Sequence, residues 1–243
     1  GTYSYSSGGS NNYSMSFDGV DDYIELTDID LLQNFTISAW VNTNSLTAWQ
    51  NIVNKFGDDP TSTNAIGGYA LLVAPISIYA HTNAGASSSA ICASGIYIPI
   101  NQWNHISVVL NNGVMEFYIN GQFVYSCLGL DNTPNTIYNT FIGKASYGMA
   151  EFFDGEIDNV EIWEIPLSQQ QIQQYMNCPP TGSESGLVGY WNFEEGSGNT
   201  VLDLTSNGND GTINGASYDT NVPSQSCNLT NTNGCDSTAI LNL

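Results

Sequence analysis

Apolar and polar residues alternate along short stretches of this 243-residue chain. In FTISAWVNT, residues 35–43, every second side chain from Phe35 to Val41 is apolar. Because successive side chains of a β-strand point to opposite faces, this period of two predicts a strand with one buried face. Comparable segments recur along the chain between clusters of Gly, Asn, Asp and Ser, and that spacing is typical of a β-sandwich.

Turn signals between these segments indicate how the strands connect. Asn120 and Gly121 lie between two β-prone runs in YINGQFVY and predict a tight hairpin, because both residues tolerate positive φ. Asp18 and Gly19 in SMSFDGVDDYIELT predict a second hairpin on the same grounds.

A single helix is predicted over residues 166–177, PLSQQQIQQYMN. Ser168 can cap its N-terminus, and Gln171 three residues later completes a capping box. The following CPPTGSESG, residues 178–186, has the prolines and small polar residues of a linker.

Apolar runs stay well below the ~18 residues that a membrane span needs. No basic segment followed by an apolar one opens the sequence, so we expect any secretion signal to be removed or to lie upstream.

The charge is strongly one-sided, with 23 acidic residues against Lys55 and Lys144, no arginine, and a formal net charge of −21. Such a surface repels phosphate backbones and anionic lipids, which argues against nucleic acids and membranes as partners. It suits a salty medium, where screening damps the self-repulsion. It also favours cations, and several of the carboxylates are expected to hold Ca²⁺.

Five cysteines occur without the spacing of a zinc or redox motif, at Cys92, Cys127, Cys178, Cys227 and Cys235. In an acidic, Asn-rich chain we expect disulfides and a secreted, extracellular or cell-surface location. The predicted pairs are Cys92 with Cys127 and Cys178 with Cys227. A bond between Cys227 and Cys235 is the main alternative to the second pair.

The segment GEIDNVEIW, residues 155–163, spaces Glu156, Asp158 and Glu161 as E-x-D-x-x-E, an arrangement that some β-sandwich glycosidases use for catalysis. In a regular strand Glu161 would face away from the other two carboxylates. A bulge at Asp158-Asn159 would bring all three to one face and point the apolar residues between them into the core. A retaining mechanism would then need two of the carboxyl groups ~5 to 5.5 Å apart.

Six blocks, in order, resemble the laminin G-like domains of the concanavalin A-like jelly-roll superfamily. They are FDGVDDYIEL, NFTISAWVN, QNIVNK, WNHISVVLNNGVMEFYINGQFV, FIGKA and FDGEIDNVEIWEIPLSQQQIQQYM, and they cover about residues 15–177. The resemblance implies two antiparallel sheets packed face to face in a jelly roll, with a short helix after the last core strand.

The segment GLVGYWNFEEGSGNTVLDLTSNGNDGTINGASY, residues 186–218, resembles the beginning of such a domain, although it follows the helix. Either the domain is circularly permuted and this segment folds back to complete it, or a second, truncated repeat begins here. We favour the permutation, because no second FDG block follows. The expected organisation is a jelly roll over residues 1–178, the returning segment over 179–220, and a tail over 221–243. Its final stretch, NGCDSTAILNL, is similar to a repeat unit of large secreted surface proteins of gliding and adhering bacteria.

The resemblance also implies a metal site. Laminin G-like domains carry a G-x-I-D-x-V strand whose aspartate commonly binds a structural Ca²⁺, and Asp158 matches it. The expected co-ligands are Asp18, Gly19, Asp21 and Asp22, with a further one from the loop of residues 42–44 less surely. On this interpretation, Glu156 and Glu161 are mostly surface charges.

Aromatic residues give weaker predictions. Those at framework positions, Trp40, Trp103 and Trp163, are interpreted as packing residues. Four others are candidates for stacking on a sugar: Trp49, Tyr79, Tyr147 and Phe152. The two histidines, His81 in a predicted loop and His105 in a strand, provide no metal pair.

Of three candidate functions we favour the first, which is not enzymatic. The first is a non-catalytic, Ca²⁺-stabilised adhesion or carbohydrate-binding module of a longer bacterial surface protein, with a glycan or an extracellular protein as ligand. The second is a glycoside hydrolase that uses Glu156 and Glu161. The third is a structural spacer that presents other domains.

Overall fold

The computed structural model describes residues 11–31, 33–56, 67–84, 89–129, 138–146 and 151–227. These residues form two antiparallel β-sheets and one short helix, which confirms the predicted all-β sandwich. No helix in this part of the chain has the length and apolar character needed to cross a membrane.

The secondary-structure elements follow one another along the chain with these bounds: β1 (Ser14–Asp18), β2 (Tyr23–Glu25), β3 (Phe35–Thr43), β4 (Gln50–Phe56), β5 (Gly67–Ala74), β6 (Ser77–Ala84), β7 (Ser89–Ala93), β8 (Asn104–Asn111), β9 (Val114–Ile119), β10 (Gln122–Leu128), β11 (Phe141–Ile142), β12 (Asp154–Trp163), α1 (Gln169–Asn177), β13 (Leu187–Trp191), β14 (Thr200–Val201), β15 (Gly211–Asn214) and β16 (Ser217–Asp219). Sheet A has the order β10-β9-β8-β3-β12-β1-β16, with β13 also paired to β12. Sheet B has the order β14-β15-β2-β11-β4-β5-β6-β7.

The core lies between the two sheets and follows the predicted alternation. In β3 every second side chain from Phe35 to Val41 points into it and is at most 2% exposed. Strand β5 contributes Tyr69, Leu71 and Val73 from the other sheet. Burying such side chains contributes roughly 1.5–3 kcal/mol each, so this layer provides most of the driving force for folding.

Helix α1 covers the outer face of sheet A. Ser168 caps it and forms the predicted capping box with Gln171. Its Ile172 is buried against the sheet, and Tyr175 stacks on Trp163 with 4.8 Å between ring centroids. This second layer explains why polar residues on the outer side of β3, such as Ser38, are also buried.

The predicted hairpin at Asn120-Gly121 is confirmed, since β9 pairs with β10 and both turn residues have positive φ. The predicted hairpin at Asp18-Gly19 is wrong. Gly19 does have a φ of +75°, but β1 pairs within sheet A and β2 within sheet B. The turn is therefore a corner between the sheets, and an alternating pattern alone does not distinguish it from a hairpin.

Strands from the segment after the helix pair with strands that precede the helix. Strand β13 pairs with β12, β15 with β2, and β16 with β1. Trp191 and Phe193 are fully buried in the core between the sheets. The segment thus contributes strands to both sheets, while its interpretation as a circular permutation stays a prediction.

Two disulfides have the predicted pairing. Cys92–Cys127 joins β7 of sheet B to β10 of sheet A, with 6.2 Å between the Cα atoms. Cys178–Cys227 joins the end of α1 to the chain after β16, with a Cα separation of 4.5 Å. In the chain-entropy model, loops of 35 and 49 residues each give a stabilisation of about 4 kcal/mol. Cys235 lies outside the described residues.

Candidate functional site

The predicted bulge in β12 is present. Its register with β3 shifts between Asp158 and Glu161, and Asn159 has a φ of +48°. As a result Ile157, Val160 and Ile162 all point into the core. The three carboxylates of the E-x-D-x-x-E motif therefore share the outer face of sheet A.

Asp158 lies at the junction of three strands. Strand β1 pairs with the first part of β12, up to Ile157, and β13 pairs with the second part from Val160. The gap between them contains the Asp158 side chain, which has no exposed surface. The residues just before β1 and just after β13 converge on this gap, because both strands end there.

Polar groups from distant parts of the sequence surround the Asp158 carboxylate. Asn11 donates to its carboxylate at 2.9 Å, and the backbone N–H of Asn159 donates at 2.7 Å. Glu194 accepts from the backbone N–H groups of residues 12 and 13 and adds a second negative charge. Gln225 approaches Asn11 and Asn159 at 3.4 Å.

The electrostatics of this cluster are unfavourable without a cation. Burial raises the pKa of Asp158 to about 8, and the charge of Glu194 acts in the same direction, while the hydrogen bonds from Asn11 and Asn159 oppose it. Gln225 directs its amide oxygen to the cluster, whereas Asn11 and Asn159 direct amide nitrogens to it and Asn159 Oδ1 accepts from the Tyr190 hydroxyl at 2.6 Å. Two carboxylates and one amide oxygen are the donor types that Ca²⁺ prefers, and water can complete the set, so these groups fit Ca²⁺.

The five predicted metal ligands do not come together. Asp18 lies opposite Asp154 in the β1–β12 register, four residues along β12 from Asp158, or roughly 13 Å at the rise of a strand. Asp18, Asp21 and Asp22 do gather their carboxylate oxygens within 4.8 Å of one another.

The Asp18 cluster is explained by its turn. Asp18 accepts hydrogen bonds from the backbone N–H groups of Val20 and Asp21, which lower its pKa, and the backbone N–H of Asp18 donates to Asp22. Gly19 permits the positive φ that closes this turn. In the loop of residues 42–44, from which a further ligand was expected, Asn44 donates to Asp154 at 3.0 Å.

The interpretation of Glu161 as a surface charge is wrong. It is 2% exposed, because helix α1 covers the face of sheet A on which it lies. Its carboxylate accepts from Trp163 Nε1 at 2.9 Å and from Ser38 Oγ at 3.3 Å. Burial raises its pKa to about 7 despite these bonds. Glu156 is partly buried, and burial also raises its pKa.

We expect Glu161→Gln to increase the free energy of unfolding by about 2 kcal/mol near pH 8 and to leave it almost unchanged near pH 4. The unfolded carboxyl group ionises near pH 4.5, but the folded one keeps its proton to about pH 7. The parent therefore loses stability as pH rises through this interval, whereas glutamine can still accept both hydrogen bonds without ionising.

Urea unfolding at several pH values in constant Ca²⁺ measures this difference. The exposed Glu164 supplies the control, Glu164→Gln, which should change little at any pH. A stability difference between Glu161→Gln and the parent that does not vary with pH would show that folding does not raise the pKa of Glu161.

The outer face of sheet B carries a different set of residues. The strand register places Asn51, Leu72 and Tyr79 in one cross-strand row of this face. The adjacent row contains Asn54 opposite Ala70, which in turn lies opposite His81. His81 is therefore a strand residue, not the loop residue that was predicted.

Aromatic rings stand at one end of these rows. Trp49 stacks on Tyr79 with 4.6 Å between ring centroids and a 30° angle between ring planes. Trp49 also meets the edge of His81 at 6.1 Å and keeps 38% of its surface exposed. Burial lowers the pKa of His81 to about 4, so its imidazole is neutral at physiological pH. Two of the four predicted stacking residues thus lie together on a partly exposed surface.

Amide and hydroxyl side chains lie at the opposite end of these cross-strand rows. Ser146 Oγ donates to Asn54 at 2.6 Å, Asn54 donates to Asn51 at 2.8 Å, and Asn51 donates to Glu151 at 3.0 Å. This chain fixes the side chains in place and directs the Glu151 carboxylate to the same face. Asn51 and Asn54 lie in β4, while Ser146 and Glu151 lie outside the strands, and polar residues at such positions give no sequence signal for this role, so these four were missed.

We refer to Trp49, Tyr79, His81, Asn51, Asn54, Ser146 and Glu151 as the sheet B face. Of the two remaining predicted stacking residues, Phe152 forms a β-bridge with Lys144 and is partly buried. Tyr147 lies outside the described residues.

Comparisons with known proteins agree with this architecture. A laminin G family model, described as the concanavalin A-like lectin/glucanases superfamily, matches residues 18–173. A search of curated proteins finds no match. Among solved structures, a proposed carbohydrate-binding protein from Bacteroides ovatus superposes with a TM-score of 0.68 at 20% identity, over 89% of this chain. The chain spans 62% of the length of that protein.

Two further structures share the fold. A heptameric pentraxin from Limulus polyphemus aligns with a TM-score of 0.59 at 14% identity, covering 86% of this chain and 94% of the pentraxin. Domain 4 of the extracellular arabinanase AbnA from Geobacillus stearothermophilus, solved in complex with arabinotriose, aligns with a TM-score of 0.53 at 23% identity. That alignment covers 71% of this chain and 80% of the arabinanase domain.

Proposed function

This chain belongs to the concanavalin A-like lectin/glucanase superfamily, and from that premise we propose that it is a non-catalytic carbohydrate-binding module. The observation that carries the proposal is the sheet B face, where the stacked pair Trp49–Tyr79 stands beside a fixed chain of amides and a carboxylate. Sugars offer apolar ring faces, which Trp49 and Tyr79 can contact, and hydroxyl groups, which can donate to the partly exposed Glu151 carboxylate, while the buried Asn51 and Asn54 hold that carboxylate in place.

Two of the structural relatives support a binding role. The protein from Bacteroides ovatus is described as carbohydrate binding, and the arabinanase domain was solved with an oligosaccharide. These likenesses concern the fold, so the ligand of this chain has to follow from its own side chains.

Burial of the acidic motif argues against a hydrolase. Asp158 and Glu161 are at most 2% exposed, and helix α1 with the segment around Gln225 covers their face of sheet A. A glycosidase needs both carboxyl groups to touch the sugar. The sheet B face contains one carboxylate, Glu151, among its described residues, which does not make an acid–base pair.

We further propose that Ca²⁺ stabilises the module at Asp158, with Glu194 and Gln225 as further ligands. A bound cation would compensate a buried carboxylate for which the described residues around it supply no cationic side chain. Its role is structural: it would tie the start of β1 and the end of β13 to the bulge of β12. The sugar would bind on the other sheet.

The two disulfides support a location outside the cytoplasm, where such bonds persist. We propose that the module works in adhesion as part of a longer surface protein. A spacer function would be the better description if Ca²⁺ raised the melting temperature while no glycan bound.

We expect Trp49→Ala to weaken glycan binding at least about tenfold, because it removes one of the two rings that present aromatic surface on the sheet B face. Phe123→Ala is the matched control, since Phe123 is 50% exposed on β10 of the opposite sheet. A glycan array followed by calorimetry with the best ligand measures the effect. Equal affinity of both variants would place the site elsewhere, and an array without any bound glycan would overturn the proposal.

A further inference from the structure

The chain has two lysines and no arginine, and protein neighbours engage both lysines. Lys55 is 1% exposed and forms salt bridges with Asp28 and Asp30. It lies opposite Tyr69, whose side chain points into the core, so it is directed away from the outer face of sheet B.

Lys144 packs against two aromatic rings. Its ammonium group lies 3.6 Å from the centroid of the Tyr23 ring and 4.2 Å from that of Phe141. Glu25 stands directly opposite Phe141 in the strand register and compensates the charge. This lysine is thus satisfied by its own protein neighbours.

The polar side chains of the sheet B face carry no positive charge that would attract an anion. Asn51 donates an amide hydrogen to Glu151, and Asn54 donates one to Asn51. The Glu151 carboxylate can only accept hydrogen bonds. Sugar hydroxyl groups can donate such bonds, whereas a carboxylate or sulfate group of a ligand cannot. His81 is neutral because burial lowers its pKa to about 4.

The charge of the whole molecule acts in the same direction. With a formal net charge of −21, the protein repels anions before any contact forms. Recognition of sialic acid, uronic acids or sulfated sugars usually depends on arginine or lysine, and the chain has no arginine.

We propose that the sheet B face is selective for uncharged saccharides and excludes anionic ones. This inference rests on the proposed carbohydrate-binding function and adds the chemical class of the ligand. Trp49 and Tyr79 supply the stacking surface for a neutral sugar ring, and Glu151 accepts from its hydroxyl groups.

The test compares neutral glycans with sialylated, uronate-containing and sulfated glycans on one array, using the whole chain with Ca²⁺ at about 0.15 M NaCl. Binding to neutral glycans, with at least about tenfold weaker binding to anionic ones, is the expected result. Equal or stronger binding to anionic glycans would overturn the inference and leave the carbohydrate-binding function intact. Binding to no glycan would overturn that function and the inference with it.

Glu151→Gln sharpens the test. It keeps an oxygen that can accept from Asn51 but removes the charge, so the ratio of anionic to neutral affinity should rise about fivefold, as expected for one nearby charge in water. An unchanged ratio would contradict the role given to Glu151. Thermal melting of parent and variant, side by side, verifies that both are folded.

Discussion

Replacing Trp191 with alanine is expected to lower the free energy of unfolding by about 3–5 kcal/mol. The indole has no exposed surface, packs within the core between the sheets, and donates its Nε1–H to the carbonyl oxygen of Asn209 at 3.0 Å. The substitution leaves a cavity and an unpaired carbonyl group. Urea unfolding followed by circular dichroism gives the magnitude.

Leu202→Ala is the control within the same segment, since Leu202 is 46% exposed and its truncation should cost well under about 1 kcal/mol. The comparison tests whether residues 186–218 complete the domain. A loss below about 1 kcal/mol for Trp191→Ala would mean that the segment does not share the core. Deleting residues 186–243 is the more drastic version, and the remainder is then expected not to fold.

Removing the carboxylate of Asp158 is expected to abolish stabilisation by Ca²⁺. At a concentration one hundred times its dissociation constant, a ligand stabilises the folded state by about 2.7 kcal/mol. For a domain of this size that corresponds to an increase in melting temperature of roughly 5–10 °C. The parent should show this increase over its value in EDTA, and Asp158→Asn should not.

Asp21→Asn is the matched control, because Asp21 belongs to the other acidic cluster, roughly 13 Å away. It should keep the full response to Ca²⁺. In EDTA near pH 9, Asp158→Asn should be at least as stable as the parent, since burial raises the pKa of Asp158 to about 8 and its ionisation then costs stability. If Asp21→Asn alone lost the stabilisation by Ca²⁺, the ion would have to bind at the Asp18-Gly19 turn instead.

The fold was predictable because its signals are local. The alternation in β3, the Asn120-Gly121 turn and the Ser168 capping box each involve residues close in sequence, and each was confirmed. The bulge at Asn159 was also predictable, since the apolar residues on both sides of it can reach the core only if one residue is inserted. The corner at Asp18-Gly19 was not, because sheet membership depends on distant partners.

The candidate sites depend on contacts between distant residues. Asn11 and Glu194 meet at Asp158 because β1 and β13 share one side of β12, which the sequence of β12 does not reveal. The same holds for Glu161, whose burial depends on a helix that packs back over the sheet. On sheet B, Trp49 and Tyr79 were singled out as aromatic residues, but the register that aligns them with Asn51 became evident only in the structure.

The bond between Cys178 and Cys227 has a mechanical consequence. If the polypeptide is stretched from both sides of the described residues, force that enters beyond Cys227 passes through the sulfur atoms directly to Cys178. Strands β13 to β16 lie within the bridged loop, so tension does not run along their backbone, while their pairing with β12, β2 and β1 still couples them to the loaded strands. The proposed calcium ligand Glu194 lies in the same loop, so tension along the backbone would bypass this ligand.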